Sequence, residues 1–174
     1  MKRSLGVSRL LRRVPWRRLP LRPRSRRAAG WLAAALLALL WWTSRSDDDP
    51  AGATWPRPAI LDAVRWVESR HLPDDQVPDG DDGLAIGPYQ IHRVYWADAH
   101  AFEPSLGGDY QDCRRRGYAE KVIDAYMRRY AKDAWRRGEA EHIARVHNGG
   151  PNGHRKEATK GYWQRVRARL PAPN

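Results

Sequence analysis

The chain has 174 residues, with 32 Lys+Arg against 20 Asp+Glu, and the formal charge of +12 suggests a nucleic-acid binder. Placing the charges excludes that: residues 1–46 hold twelve basic residues and no acid, which leaves 20 of each sign in 47–174. The excess belongs to an N-terminal tail, and the single cysteine, Cys113, rules out an internal disulfide or a Cys-based metal site.

Residues 1–27 are broken up by Arg, Pro and Gly and are expected to form a basic cytoplasmic tail. The run Ala28–Trp42 is apolar without interruption and carries Trp at both ends. Segment 28–44 is therefore expected to be one N-terminal hydrophobic helix. Eleven basic residues precede the run, and Asp47, Asp48 and Asp49 follow it. The positive-inside rule then puts the tail in the cytoplasm and residues 47–174 outside. Two fates are open for this segment. It can stay as a single-pass signal-anchor, making the membrane a partner. It can also be cleaved, with Ser44/Ser46 or Ala51/Ala53 as small residues for the peptidase, which yields a secreted domain. Residues 45–57 read as a Pro/Gly/Ala-rich linker, and 58–170 as one folded domain.

Pro58 suits the first turn of a helix, and PAILDAVRWVESRH has helical period. Ile60, Leu61, Val64, Val67 and Glu68 fall on one face. A carboxylate on an apolar stripe, at the negative end of a helix, has its pKa pushed up. A general acid working near neutral pH needs that shift. The alternative is a Glu that snorkels, or pairs with Arg65 or Arg70.

The stretch LPDDQVPDGDDGLAIGPYQI holds five Asp, three Gly and three Pro, and its turn residues and short apolar runs suggest a small β-hairpin. Asp74, Asp75, Asp79, Asp81 and Asp82 are candidate second carboxylates. The alternatives are a solvated acidic loop or a weak calcium site, although the spacing does not fit a twelve-residue EF-hand loop. Helices are expected over 92–102, 115–137, 139–148 and 158–170. Gly138 serves as a C-cap of the long third segment. Tyr162, Trp163, Val166 and Leu170 recur at helical spacing and read as core rather than as sugar platforms.

Charge along the domain is polarised. Residues 47–112 carry 4 basic and 14 acidic side chains, and residues 113–174 carry 16 and 6. Such a field could draw an anionic polymer to one wall of a cleft. The alternative is mutual neutralisation by surface pairs.

Six blocks carry a resemblance: Val67-Glu68-Ser69; Gly87 to His92 (GPYQIH); Tyr95 to Asp98 (YWAD); Ala125 to Tyr130 (AYMRRY); Ile143 to Gly153 (IARVHNGGPNG); and Gly161-Tyr162-Trp163. In this order the chain resembles the invertebrate-type lysozyme/destabilase family. The resemblance implies a mostly helical α+β domain of the lysozyme superfamily with a small β-hairpin. It implies a muramidase that cleaves the β-1,4 bond between N-acetylmuramic acid and N-acetylglucosamine in peptidoglycan. By position, Glu68 becomes the general acid, and Asp81 the nucleophile or charge stabiliser, with Asp79 and Asp82 still open. Tyr89 and Gln90 are expected on the cleft floor, and His147 and Asn148 at its rim, as substrate-binding residues.

Two departures from the family stand out. Its members are usually rich in disulfides, so this domain depends on core packing instead. Some members also cleave isopeptide bonds through a Ser before the GPYQI-like block and a Lys right after it. Here the Ser position is deleted and the Lys position is His92, so that activity is not expected. No cofactor, resident metal or nucleic-acid partner is expected. A non-catalytic wall-binding module on a lysozyme fold is the alternative to the enzyme.

Overall fold

The computed structural model describes residues 53–173. The tail, the hydrophobic segment 28–44 and most of the linker therefore lie outside the described residues. Among the described residues no helix is long and apolar enough to cross a membrane.

Among the described residues, six α-helices, several 3₁₀ turns and one short hairpin make up the domain. Helix α1 spans Arg57–Ser69, opens on Pro56 and Pro58, and stops where Arg70 turns to φ 54° with its N–H on the Trp66 carbonyl. Its inner face buries Ile60, Ala63 and Val64, with Leu61 and Val67 packed at the edge. A 3₁₀ turn at Asp81–Gly83 leads into β1 (Ala85–Ile86), which pairs antiparallel with β2 (Ile91–His92). Ala85 stands opposite His92 and Ile86 opposite Ile91. The hairpin is short, and its position is fixed from outside. Ser69 Oγ, at the end of α1, shares its hydrogen between the Arg65 and Pro88 carbonyls, both 3.0 Å away. The Tyr110 hydroxyl reaches the Leu84 and Ile91 carbonyls at 2.9 and 2.8 Å.

Helix α2 (Arg93–Phe102) follows directly and packs on α3 (Arg116–Tyr130). Helix α3 is the centre of the core: Val122, Ile123, Ala125, Tyr126 and Met127 are all buried. The single helix expected over 115–137 is broken. Ala131 leaves helical geometry at φ −142°, ψ 35°, and α4 (Lys132–Arg137) restarts after it. The cause is phase. Trp135 lies nine residues after Tyr126, which in a straight helix of 3.6 residues per turn is the opposite side. The break turns Trp135 inward, where it is 3% exposed and donates from Nε1 to Asp124 Oδ1 at 2.8 Å. Gly138 then closes α4 at φ 74°, as expected of a C-cap.

Helix α5 (Ala140–Gly149) packs against α3 and α4, and α6 (Lys160–Arg167) packs against α5 and α1. The loop between them is tied down by buried Arg145, whose guanidinium donates to Thr159 Oγ1, Glu141 Oε1 and the Lys156 carbonyl. Tyr162, Trp163, Val166 and Leu170 are all buried, as their spacing predicted. The ends of α1 and α5, the face of α6 and the hairpin thereby converge on one side of the domain.

Candidate active site

A cleft of about 290 Å³ opens at that convergence, lined by Glu68, Asp81, Ala85, Gln90, His92, His147 and Asn148. Glu68 comes from the last turn of α1, Asp81 from the turn before β1, and His147 and Asn148 from the last turn of α5. Of the six residues expected here, five line the cleft.

Tyr89 does not. It is fully buried, its hydroxyl donates to Glu120 Oε1 at 2.7 Å, and it is not among the residues lining the cleft. Its expected place on the cleft floor is therefore corrected to a core position. The turn explains the split from its neighbour. Gly87 and Gln90 both adopt positive φ, 72° and 48°, so the chain doubles back between them and adjacent side chains diverge. Gln90 stays at the cleft, with its amide donating to the Gly87 carbonyl at 3.0 Å and the Pro78 carbonyl at 3.2 Å.

Glu68 is the chemically distinctive group. Its side chain is 18% exposed, and Oε1 accepts a hydrogen bond from the Tyr162 hydroxyl at 2.6 Å. Neither Arg65 nor Arg70 pairs with it: Arg65 lies 3.6 Å from Asp62, and Arg70 stacks on Trp66. Burial pushes its pKa from 4.5 up to about 7. The Tyr162 hydrogen bond and the positive charge of Arg165 work against that rise, and the negative charge of Asp81 adds to it. Desolvation wins because the group nearest to Glu68 brings no positive charge. His147 Nε2 is 3.8 Å from Glu68 Oε1. However, burial drives the imidazole pKa down to about 4, so His147 is neutral at neutral pH.

The second wall is polar and open. Asp81 is 69% exposed, and its Oδ2 is 2.9 Å from His92 Nε2. Both Asp81 and Asp82 sit at positive φ, 47° and 53°, which aims consecutive carboxylates apart, and only Asp81 lines the cleft. Asp79 is engaged elsewhere. Arg114 grips it through both nitrogens at 2.5 and 2.8 Å and holds its carboxyl below the usual range.

His92 and Ala85 line the cleft without having been assigned to it from the sequence, and Tyr162, which bonds Glu68, was read only as core. Tyr162 sits in the Gly161-Tyr162-Trp163 block, so its signal was present, but helical spacing reports a face rather than the aim of a hydroxyl. Among the described residues no group of three or more His, Cys, Asp or Glu is arranged to hold a metal, and the calcium reading of the acidic loop finds no support.

The profile of the Destabilase family matches residues 75–169, more than half of the chain. The chain belongs to the Destabilase family. As a Destabilase member, it is 42% identical over 85 residues to Lysozyme 1 of Crassostrea virginica, covering 48% of this chain and 44% of that protein. It is 40% identical over 84 residues to the lysozyme of Meretrix lusoria, covering 48% of this chain and 66% of that one. The match thus spans less than half of the first relative's length and just under two thirds of the second's. The crystal structure of Tapes japonica lysozyme superposes with a TM-score of 0.52 at 28% identity, over 64% of this chain and 87% of that one. The Destabilase match begins after Glu68. What ties Glu68 to the family region is contact: Tyr162 and His147, both inside the matched span, enclose its carboxyl group.

Proposed function

We propose that this protein is a peptidoglycan hydrolase of the lysozyme type, cleaving the β-1,4 bond between N-acetylmuramic acid and N-acetylglucosamine. The observation that carries the reading is Glu68, a carboxyl group that holds its proton up to about pH 7 and faces an exposed carboxylate across one cleft. Two carboxyl groups in contrasting surroundings can divide the work of glycoside hydrolysis. Lysozymes in general are explained by such a pair, so this assignment matches a known template.

In the proposed reaction the Glu68 proton passes to the glycosidic oxygen as the bond to the sugar's anomeric carbon breaks. Positive charge develops on that carbon, and Asp81 meets it as nucleophile or charge stabiliser. A water then supplies the new hydroxyl and returns a proton to Glu68. Gln90, His147 and Asn148 supply polar groups along the saccharide, and Tyr162 fixes the rotamer of the acid. The names of the relatives, lysozymes in each case, support the same reaction class. The charge distribution of the sequence supports a site of action outside the cytoplasm, where the wall is.

The deciding experiment compares the full chain with Glu68→Gln in clearing a peptidoglycan suspension and releasing reducing ends. Activity in the parent and its loss in the variant is the expected result. Equal activity in both, or wall binding without reducing ends from a folded parent, overturns the reading; the latter identifies a binding module.

A further inference from the structure

Many of the basic side chains of the domain pair with carboxylates. Arg57 and Arg128 share Asp124, Arg114 takes Asp79, Arg116 takes Glu120, Arg137 takes Glu139 and Arg145 takes Glu141. Three arginines close to Glu68 or to the end of its helix stand outside these pairs. Arg70, at the end of α1, and Arg169, just past α6, both stack on Trp66, with guanidinium carbons 3.9 and 3.2 Å from the ring centroid. Two groups that close to one centroid must lie on opposite faces of the indole. Arg165, one helical turn before Arg169, stands 5.4 Å from the Tyr162 ring and is near enough to Glu68 to lower its pKa. All three arginines are exposed, and among the described residues none has a carboxylate within 4 Å.

A guanidinium stacked on an aromatic ring is held in place by its face, while its N–H donors lie in the plane at the edge. Those donors fit a carboxylate two at a time. For Arg70 and Arg169 the ordering is thus already done before any ligand arrives, and Arg165 is held by a hydrogen bond to the Gly161 carbonyl at 3.3 Å. Arg165 is the member close enough to the acid to act on its charge, Arg169 follows it one helical turn later, and Trp66 joins Arg169 to Arg70.

We infer that Arg165, Arg169 and Arg70 form a docking strip for the acidic stem peptide of peptidoglycan, resting on the muramidase reading of the cleft. In peptidoglycan the muramic acid at the cleaved bond carries this peptide on its lactyl ether. Its free carboxylates therefore start within one sugar of Glu68. An extended peptide advances about 3.3–3.6 Å per residue, so two or three of its residues span the spacing of neighbouring arginines on a helix surface. A phosphate polymer or an anionic lipid surface offers the same charge without the covalent attachment at the scissile sugar.

The test uses the full chain and the double variant Arg70→Gln/Arg169→Gln, both sites lying outside the catalytic group. Substrates are peptide-bearing glycan strands and the same strands stripped of peptide by an amidase. On peptide-bearing strands kcat/KM is expected to fall about five- to tenfold, mainly through KM, and to lose part of its salt dependence. On stripped strands it is expected to stay unchanged. Arg169→Lys, which keeps the charge but not the planar fork, should lose part of the peptide-dependent rate and none of the rate on stripped strands, and the unchanged rate on stripped strands controls for folding. Equal loss on both substrates, or none on either, overturns the strip. So does a variant that keeps its preference for peptide-bearing strands but no longer binds anionic vesicles. Should the parent cleave neither substrate, the muramidase reading falls by itself. Binding of a soluble stem-peptide disaccharide against the peptide-free disaccharide then decides the strip: equal affinities overturn it.

Discussion

The Tyr162 hydroxyl donates to Glu68 Oε1 at 2.6 Å, joining the last turn of α1 to α6 across 94 residues of sequence. This bond is one of the two contacts that oppose the rise in the Glu68 pKa. It also fixes where the acidic proton points, since the oxygen that accepts from Tyr162 leaves the other free to carry the proton toward the cleft.

Tyr162→Phe removes the bond and leaves the ring in the core. The pKa of Glu68 rises further, so the alkaline limb of the pH–rate profile moves to higher pH. Below pH 6, where Glu68 is protonated in both proteins, kcat falls by less than about tenfold through looser positioning. Global stability drops by about 1 kcal/mol, the size of one lost hydrogen bond. A pH–rate profile of both proteins checks the direction; a limb that moves to lower pH contradicts this account.

Glu68 also sets a pH dependence of stability. The folded protein holds its proton up to about pH 7, whereas the unfolded chain releases it near 4.5. Between those values the folded state binds more protons, so stability falls as pH rises. His147 acts in the other direction. Its folded pKa of about 4 lies below the ordinary 6.5, so stability falls as pH drops through that window. Glu68→Gln should unfold at the same denaturant concentration as the parent below pH 4.5. Above pH 8 it should be more stable by about 2–3 kcal/mol. Urea melts at pH 4 and 8.5 measure this, and a variant destabilised equally at both pH values contradicts it.

Much of the frame was legible because helical period reports burial directly. The stripe of α1 and the buried row Tyr162, Trp163, Val166 and Leu170 came from spacing alone. Glu68 stood out for the same reason, as the one charge on an apolar face. Four features resisted. The break at Ala131 follows from the need to bury Trp135, a tertiary demand that spacing within one segment does not carry. Tyr89 and Gln90 are neighbours in sequence, but the positive φ at Gly87 and Gln90 sends one into the core and the other to the cleft. The aim of the Tyr162 hydroxyl depends on α1, which is remote in the chain. The choice among the aspartates resisted too, because it rests on Arg114, thirty-five residues downstream of Asp79.

Gly87 shows how closely the hairpin turn is packed. A Cβ there would lie 2.1 Å from the Cys113 carbonyl oxygen, and the residue sits at φ 72°. Gly87→Ala is expected to lose more than about 3 kcal/mol of stability, from backbone strain together with overlap against main chain that cannot swing away. Gly117, in the first turn of α3, has nothing within 4 Å of the same position. Gly117→Ala should instead gain up to about 1 kcal/mol. Urea melts of the two variants should move in opposite directions; a shift of the same sign contradicts the packing at the turn.

The proposed second carboxylate can be separated from its neighbours by isosteric substitution that removes the charge. Asp81 lines the cleft and keeps a largely exposed carboxylate, with His92 at 2.9 Å on one oxygen and the other free. Asp79 lies in the two-pronged grip of Arg114, and Asp82 does not line the cleft. Asp81→Asn should therefore lower kcat on peptidoglycan by on the order of 10²–10³-fold with little change in KM, as expected when a preorganised negative group facing developing positive charge is removed. Asp79→Asn and Asp82→Asn should stay within a few-fold of the parent. His92→Gln should lie between, because it loosens Asp81 without removing its charge. Reducing-end assays on the four variants decide the order, and a larger loss at Asp79 than at Asp81 would place the second carboxylate on the wrong residue.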